Sequence, residues 1–213
     1  MPLALADAAG MQGRIRQIVD REDTAYFSAA QLNEFIEMAV DEFLQQYYGI
    51  FEASQDARDK LEALVKTETK SFTSSAYEVL LSDLSGSSSD DTLVFYRLLS
   101  ARLTSSPNTA VKVIQLSDYS AYTNDPFNKA DADNPVVYQE GGKLKVLGLT
   151  SNTDIDLTYL QYTSTFTDLA KHTYEELCQI AARKILQTLG DPRYSLMQAE
   201  VLERNTALGG RGK

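Results

Sequence analysis

The chain has 213 residues, 43% of them hydrophobic, and a formal net charge of −10 at pH 7. This length suits one large domain or two small ones, and a globule of this size buries enough surface to fold without disulfides or metal ions. The acidic balance argues against a general nucleic-acid binder, which presents a basic face. It does not argue against a protein that surrounds DNA without gripping it.

Three amphipathic helices are predicted in the first third of the chain. They cover residues 7–21, the stretch from Ser28 to Gly49, and residues 54–66. The second helix has the clearest start, because Ser28 and Gln31 fit a capping box while Phe27 and Leu32 fit a hydrophobic staple. Gly49 is expected to end it.

The middle of the chain changes to an apolar period of two, which predicts strands from about residue 92 to residue 164. The predicted strands cover residues 93–99, 111–116, 136–138, 144–149 and 155–159. The first of these is apolar on both faces and could also be a short helix, but Val94, Phe95 and Tyr96 favour a buried strand. Between two of the predicted strands, Gly141 and Gly142 indicate a hairpin. Strands that gather between helices, instead of alternating with them, favour an α+β fold.

A long polar segment, residues 119–135, interrupts the predicted strands. Asp125-Pro126 and Asn134-Pro135 are turn initiators within it. Structureless connections of this length are uncommon in compact domains and are usually functional or disordered. Asp131 and Asp133 lack the rest of a calcium-loop pattern, so no metal site is predicted.

The C-terminal segment predicts two helices that meet at a marked break. Thr173 and Glu176 fit a capping box, so the first of these helices should begin after Thr173. Gly190 suits the helix C-terminus, and Pro192 cannot continue the helix. The second helix is expected over residues 193–205.

These elements predict an α+β protein with helices at both ends of the chain and strands between them. The helical domain would combine residues 1–67 with residues 166–213, and the insertion would cover residues 68–165.

The titratable residues do not form a recognisable catalytic motif. His172 is the single histidine and Cys178 the single cysteine, and Cys178 lies on the apolar stripe of a helix, where a thiolate is disfavoured. One cysteine excludes an intramolecular disulfide and favours a reducing compartment. Neighbouring carboxylates such as Glu175 and Glu176 are usually solvated. We therefore expect no enzyme activity and no cofactor, and a small hydrolase using Cys178 or carboxylates is the less favoured alternative.

The N-terminus and the apolar runs bear on the compartment. The first residues contain no basic segment, and their apolar run is too short for a signal peptide. No run approaches the roughly 18 apolar residues of a membrane span, so we expect no membrane partner.

Three segments, taken in order, carry a resemblance to a known family. They are residues 26–44 with 51–55 and 61–65, residues 124–129 with 134–138, and a C-terminal set at 175–176, 181–182, 191–194 and 203–205. Together they resemble the head–tail connector proteins of tailed phages, particularly the ring or adaptor proteins beneath the portal in crAss-like and related short-tailed phages.

The resemblance implies a fold that is mainly an α-helical bundle with a central antiparallel β-rich insertion. It also implies a structural virion protein. Copies would form a portal-matched, dodecameric ring at the head–tail junction, assembled in the host cytoplasm, with the portal and tail proteins as partners. The ring would line the DNA ejection channel and let DNA pass without specific binding. Another virion component, a tail-completion or cargo protein, is the alternative within the same class.

Contacts with neighbouring copies or with the portal are expected from the long polar segment and the C-terminal segment. The basic, glycine-rich end, residues 205–213, is either a frayed terminus or an arm that orders on a neighbour. As an arm, its Arg211 and Lys213 could meet an acidic face such as that of Glu34, Glu37 and Asp41. The interface candidates are Tyr119, Tyr122, Asp125, Pro126, Phe127, Lys129, Arg193, Tyr194, Arg204, Arg211 and Lys213.

Overall fold

The computed structural model describes residues 7–19, 27–73, 76–84, 94–105 and 109–199. The chain divides into two compact units. The helical unit combines residues 1–63 with residues 163–213, and the sheet unit is the continuous stretch between them, residues 64–162.

The helical unit is built from amphipathic helices that share one apolar core. Its helices are α1 (Ala8–Val19), α2 (Ala29–Tyr48), α3 (Gln55–Leu61) and α5 (Tyr174–Leu189), and residues 193–199 are also helical. Helix α5 packs against both α1 and α2. Side chains at three- and four-residue spacings are buried along each of these helices, so the apolar stripes face inward. They include Met11, Ile15, Leu32, Ile36, Phe43, Leu177 and Ile185.

The start of α2 is the one that the sequence predicts. The Ser28 hydroxyl accepts the Gln31 amide at 3.3 Å, and the Ser28 amide donates to the Gln31 side chain at 3.0 Å, so the capping box is confirmed. The ring of Phe27 lies edge-on to Phe35, with 6.3 Å between centroids. Gly49 follows the last helical residue, as expected.

The predicted capping box at the start of α5 is wrong. Thr173 has helical backbone angles, and its hydroxyl donates to the Ala170 carbonyl at 2.8 Å, so it does not cap the helix. Glu176 points instead to Lys60 and Tyr47. At the other end, Gly190 adopts a φ of 65°, which confirms the predicted left-handed terminus.

The sheet unit contains seven strands in the order β1-β7-β3-β4-β5-β6-β2. They are β1 (Val65–Phe72), β2 (Glu78–Leu80), β3 (Val94–Leu103), β4 (Ala110–Val113), β5 (Val136–Glu140), β6 (Lys143–Leu147) and β7 (Thr153–Tyr162). Register shifts between β3 and β7, typical of bulges, bend the sheet. The edge strands β1 and β2 contact each other, so the sheet is nearly closed and barrel-like.

The core of the sheet unit comes from side chains that alternate along the strands. Along β6 and the first part of β7, buried residues alternate with more accessible ones, as a pleated strand requires. Three successive residues are buried at 136–138 in β5 and at 159–161 in β7. The core includes Phe72, Leu98, Val111, Val137, Leu144, Ile155, Leu157 and Tyr159. Gly141 and Gly142 both adopt positive φ and join β5 to β6, which confirms the predicted hairpin.

The predicted fold class is wrong. The described residues form a mixed α/β protein with a seven-stranded, nearly closed sheet and six helices, and not a helical bundle with a small β insertion. One reason is β1, which occupies residues that were assigned partly to a third helix; here α3 ends at Leu61 and Val65 begins the strand. The other is that β4 and β5 run parallel, so the sheet is not wholly antiparallel.

The helices of the described ranges were also compared with the requirements of a bilayer. None of them is both long enough and apolar enough to cross a membrane.

Candidate functional site

The candidate site is the connection between β4 and β5, residues 114–135, called the crossover loop below. Strands that pair in parallel must be joined by a crossover of about a dozen residues or more, because the chain has to return to the same end of the sheet. The parallel pairing of Lys112 with Val136 therefore accounts for the length of this segment. The length of the loop therefore has a structural cause, and its function depends on how it is held and on what it exposes.

The first half of the crossover loop is a short helix fixed by aromatic contacts. Helix α4 (Tyr119–Asn124) follows a 3-10 turn at Leu116–Asp118. The Tyr119 ring lies against the Tyr138 ring of β5, with 5.1 Å between centroids. Burial, and then the neighbouring Tyr119, raise the pKa of Tyr138. The Lys112 ammonium lies 5.0 Å from the centre of the Tyr122 ring.

A turn built on Asp125 presents the tip of the loop. The Asp125 carboxylate accepts the Phe127 amide at 2.9 Å and the Asn128 side chain at 2.7 Å. These hydrogen bonds, that of the Phe127 amide first, lower the pKa of Asp125. The Ala130 amide returns to the Tyr122 carbonyl at 3.0 Å, which closes the turn. The chain from residue 125 to residue 130 is thus ordered by its own hydrogen bonds.

A second turn, built on Asp131, fixes the return of the loop to β5. The Asp131 carboxylate accepts the Asn134 amide at 2.8 Å and the Asp133 amide at 3.0 Å, and these bonds lower its pKa. The backbone of Asp131 lies directly on Gly148, which has a φ of +92°. A Cβ atom at position 148 would lie 2.4 Å from the Asp131 carbonyl oxygen, so only glycine permits this approach.

The turn built on Asp125 exposes a large aromatic side chain. Phe127 is 94% exposed, more than any other large hydrophobic side chain in the described residues. Pro126 and Lys129 beside it are also exposed. An open cavity of about 700 Å³ lies next to Phe127, lined among others by Lys112, Tyr122, Asn134 and Pro135. The loop therefore presents an aromatic ring and a cation on an ordered frame.

The structure brings together six of the eleven predicted interface residues. Tyr119, Tyr122, Asp125, Pro126, Phe127 and Lys129 all belong to the crossover loop. Tyr119 and Tyr122 hold the loop against the sheet, Asp125 orders the turn, and Phe127 and Lys129 are its outward groups.

The remaining five candidates do not belong to the crossover loop. Arg193 forms an ion pair with Asp191 and donates to the Val19 carbonyl, both within the helical unit. Tyr194, the next residue, is partly buried. Arg204, Arg211 and Lys213 lie outside the described residues.

Sequence reasoning missed several residues that hold the loop. Asn128 and Asn134 act as partners of the two aspartates, and Tyr138 and Gly148 act from neighbouring strands. The spacing of Asp125 to Asn128 and of Asp131 to Asn134 is a usable signal, since aspartate side chains often accept amides two or three residues ahead. Nothing in the local sequence indicates the approach of Asp131 to Gly148.

The residues considered for hydrolase chemistry are either buried or held in ion pairs. Cys178 is fully buried, and burial raises the pKa of its thiol to about 12. Glu175 pairs with Arg14 through bonds of 2.6 to 3.1 Å, and Glu176 pairs with Lys60 at 2.8 Å. His172 is exposed at the surface.

Within the described part of the chain, no three His, Cys, Asp or Glu side chains are grouped so that they could hold a metal ion. A scan against protein-family models and a search of curated proteins both find no match to this chain.

Proposed function

We propose that the chain is a structural subunit of a tailed-phage head–tail connector. In this role, copies form a ring between the portal and the tail, and the ring lines the channel through which DNA leaves the head. The observation that supports an assembly role is Phe127, an aromatic side chain 94% exposed at the tip of an ordered loop. The order and spacing of the three resembling segments supply the link to phage connectors.

The crossover loop is suitable for docking because it is held in one conformation. Association loses affinity when flexible groups must be fixed on binding, and a loop that is already held by its own hydrogen bonds avoids much of that loss. Within the loop, the Asp125 carboxylate accepts two hydrogen bonds and the Asp131 carboxylate accepts three. Large aromatic side chains that become buried in an interface often contribute most of the binding energy.

The charge of the chain suits a channel wall. Each copy carries a formal net charge of −10. A ring of such copies repels the phosphates of DNA, whereas a basic wall would bind them with an affinity that rises as salt falls. DNA would therefore slide through without specific binding.

The test is assembly with the portal protein encoded in the same genome. The full-length chain should co-sediment with purified portal, and electron cryomicroscopy should place a ring of copies directly beneath it. Phe127→Ala should weaken this binding while the isolated chain keeps its circular dichroism spectrum. Absence of binding by the full-length chain, or density for the chain elsewhere in the particle, would refute the connector role and leave another virion component.

The C-terminal tail is tested in the same assay. A chain truncated after Asn205 should fold normally, because the removed residues contain few apolar side chains. If the tail is an arm, truncation weakens binding, and the effect is larger at low salt because exposed ion pairs are screened. Equal binding by both forms at both salt concentrations would reduce the tail to a frayed end.

A further inference from the structure

The crossover loop carries an exposed cation next to its exposed ring. Lys129 is exposed and has no ion-pair partner among the described residues. Many other basic side chains of the described chain are already paired within it, as Lys60, Lys143 and Lys184 are. Phe127 and Lys129 thus form a small surface that is both apolar and positive.

Helix α2 carries a surface of the opposite kind. At 3.6 residues per turn, Glu34, Glu37 and Met38 lie within an arc of about 100° on the helix surface. Met38 is 49% exposed, although the opposite side of α2 is buried in the core. Glu34 and Glu37 are exposed and make no ion pair with any residue that the structure describes. This face is therefore apolar at Met38 and negative around it.

Net charge makes such complementarity necessary for self-assembly. Copies that carry −10 each repel one another, and a ring concentrates that repulsion. Stable contacts must then come from places where a positive group of one copy meets negative groups of another. The Phe127–Lys129 surface and the Glu34–Met38 surface meet this requirement. The first lies wholly within the sheet unit and the second wholly within the helical unit.

We propose that the crossover loop of one copy binds the exposed face of α2 on the next copy. The Phe127 ring lies on the Met38 thioether, a contact that sulfur and aromatic edges favour, and the Lys129 ammonium lies between the carboxylates of Glu34 and Glu37. The contact joins two different surfaces, which is the kind that closes rings. It rests on the proposed function, since a ring is what brings the two surfaces of successive copies together.

The two parts of the contact should contribute unequally. Truncating a buried aromatic anchor typically weakens binding by about 30-fold or more. Loss of an exposed ion pair weakens it by about fivefold at most, and high salt removes that part. We therefore expect Phe127→Ala to reduce the association constant of the copies about 30-fold, and Lys129→Ala about fivefold.

Disulfide trapping tests the contact directly in the full chain. The native Cys178 is fully buried, so it does not interfere with cysteines introduced at the surface. A Lys129→Cys chain mixed with a Glu37→Cys chain should form a mixed dimer about tenfold faster than with Glu62→Cys, since docking raises the effective concentration of the two thiols. Glu62 is a matched control, an exposed acid of the same unit that follows α3. Equal rates with the two partners would overturn the proposal.

Charge reversal provides a second, independent test. Lys129→Glu alone and Glu34→Lys with Glu37→Lys should each weaken self-association in sedimentation equilibrium at low salt. All three changes in one chain should restore it, because opposite charges face each other again. Failure of the triple variant to recover, when the single sets weaken association, would overturn the predicted pairing of these residues.

The outcomes separate this inference from the connector role. Rings on the portal without a 129–37 crosslink would contradict the contact and leave the connector role standing. A strong 129–37 crosslink in a chain that never binds portal would support the contact and contradict the connector role. Crosslinking of position 129 to the portal itself would place the loop on a different partner and overturn the inference.

Discussion

Substitution of Glu176 tests whether this residue stabilises the helical unit through its contacts with Tyr47 and Lys60 or through a capping box. Its carboxylate accepts the Tyr47 hydroxyl at 2.8 Å and pairs with Lys60 at 2.8 Å, and the Lys60 and Glu176 side chains are 16% and 14% exposed. The three groups tie α2, α3 and α5 together. If Glu176 instead completed a capping box, glutamine would replace it with little loss, because glutamine serves equally well at that position.

The expected loss follows from the charge that Glu176→Gln leaves behind. A hydrogen bond to a charged group contributes about 1.5 to 3 kcal/mol, and breaking a buried ion pair costs about 3 to 5 kcal/mol. Lys60 keeps Asp56 at 3.2 Å and some access to water, so the loss should be smaller than for a fully buried ion pair. We expect Glu176→Gln to reduce the free energy of unfolding by about 2 to 3 kcal/mol.

The assay is urea denaturation followed by far-UV circular dichroism, which reports the helices. Glu175→Gln is the matched control, since it removes the same charge from the same helical turn. Its ion pair with Arg14 is 40% exposed on both sides, so the loss should stay below about 1 kcal/mol. Equal, small losses for both variants would show that the Tyr47–Lys60–Glu176 cluster does not stabilise the unit.

The same cluster predicts an alkaline limit. Burial raises the pKa of Tyr47 from 10.0 to about 12. For Lys60, burial lowers the pKa, but the bonds to Glu176 and Tyr47 outweigh it, so its pKa is raised above 10.5. Groups with raised folded pKa values contribute stability below their unfolded values and lose it as pH rises through the folded ones. Stability should therefore fall as pH rises above 10. The advantage of wild type over Glu176→Gln should shrink above pH 10.5 as Lys60 deprotonates, because Glu176 helps to raise the pKa of Lys60, whereas the main cause at Tyr47 is burial, which the variant keeps.

Three further predictions concern local structure. Ser28→Ala should lower the free energy of unfolding by about 1 kcal/mol, since it removes the confirmed cap of α2; an unchanged urea midpoint would contradict this. Gly148→Ala should cost about 2 kcal/mol or more, and more than Gly142→Ala, because both strain a positive φ but only position 148 also meets the Asp131 backbone; equal urea midpoints would argue against that close approach. The lowered pKa values of Asp125 and Asp131 mean that their contribution is present above their ordinary value of 3.8 and disappears as pH falls through the folded values, so the protection factors of the Phe127 and Asn134 amides against hydrogen exchange should fall in acid; equal protection factors at pH 3 and pH 5 would count against the two turns.

The features that could be predicted from the sequence are those that depend on residues close together in the chain. The start of α2, the left-handed turn at Gly190 and the Gly141-Gly142 hairpin depend on residues a few positions apart, and all three were predicted correctly. Thr173 and Glu176 have the spacing of a capping box, but distant partners on α2 and α3 engage Glu176.

The sheet shows the same limit on a larger scale. The β-branched Val65 begins a strand that pairs with β7, residues far along the chain, and a local pattern alone favoured continuation of a helix. The parallel pairing of β4 with β5 is also non-local, so the reason for the length of the crossover loop could not be read from its sequence. The turn-forming residues in the loop could be recognised, whereas the exposure of Phe127 required the structure.

The division of the chain into units has a consequence for synthesis on the ribosome. The sheet unit is one continuous stretch, residues 64–162, whereas the helical unit needs both ends of the chain. Because α1 and α2 bury most of their apolar faces against α5, those faces lack their main native partner until residue 189 has emerged. The sheet can therefore complete its fold first, while the earliest helices wait with apolar surface exposed, the situation in which nascent chains depend most on chaperones.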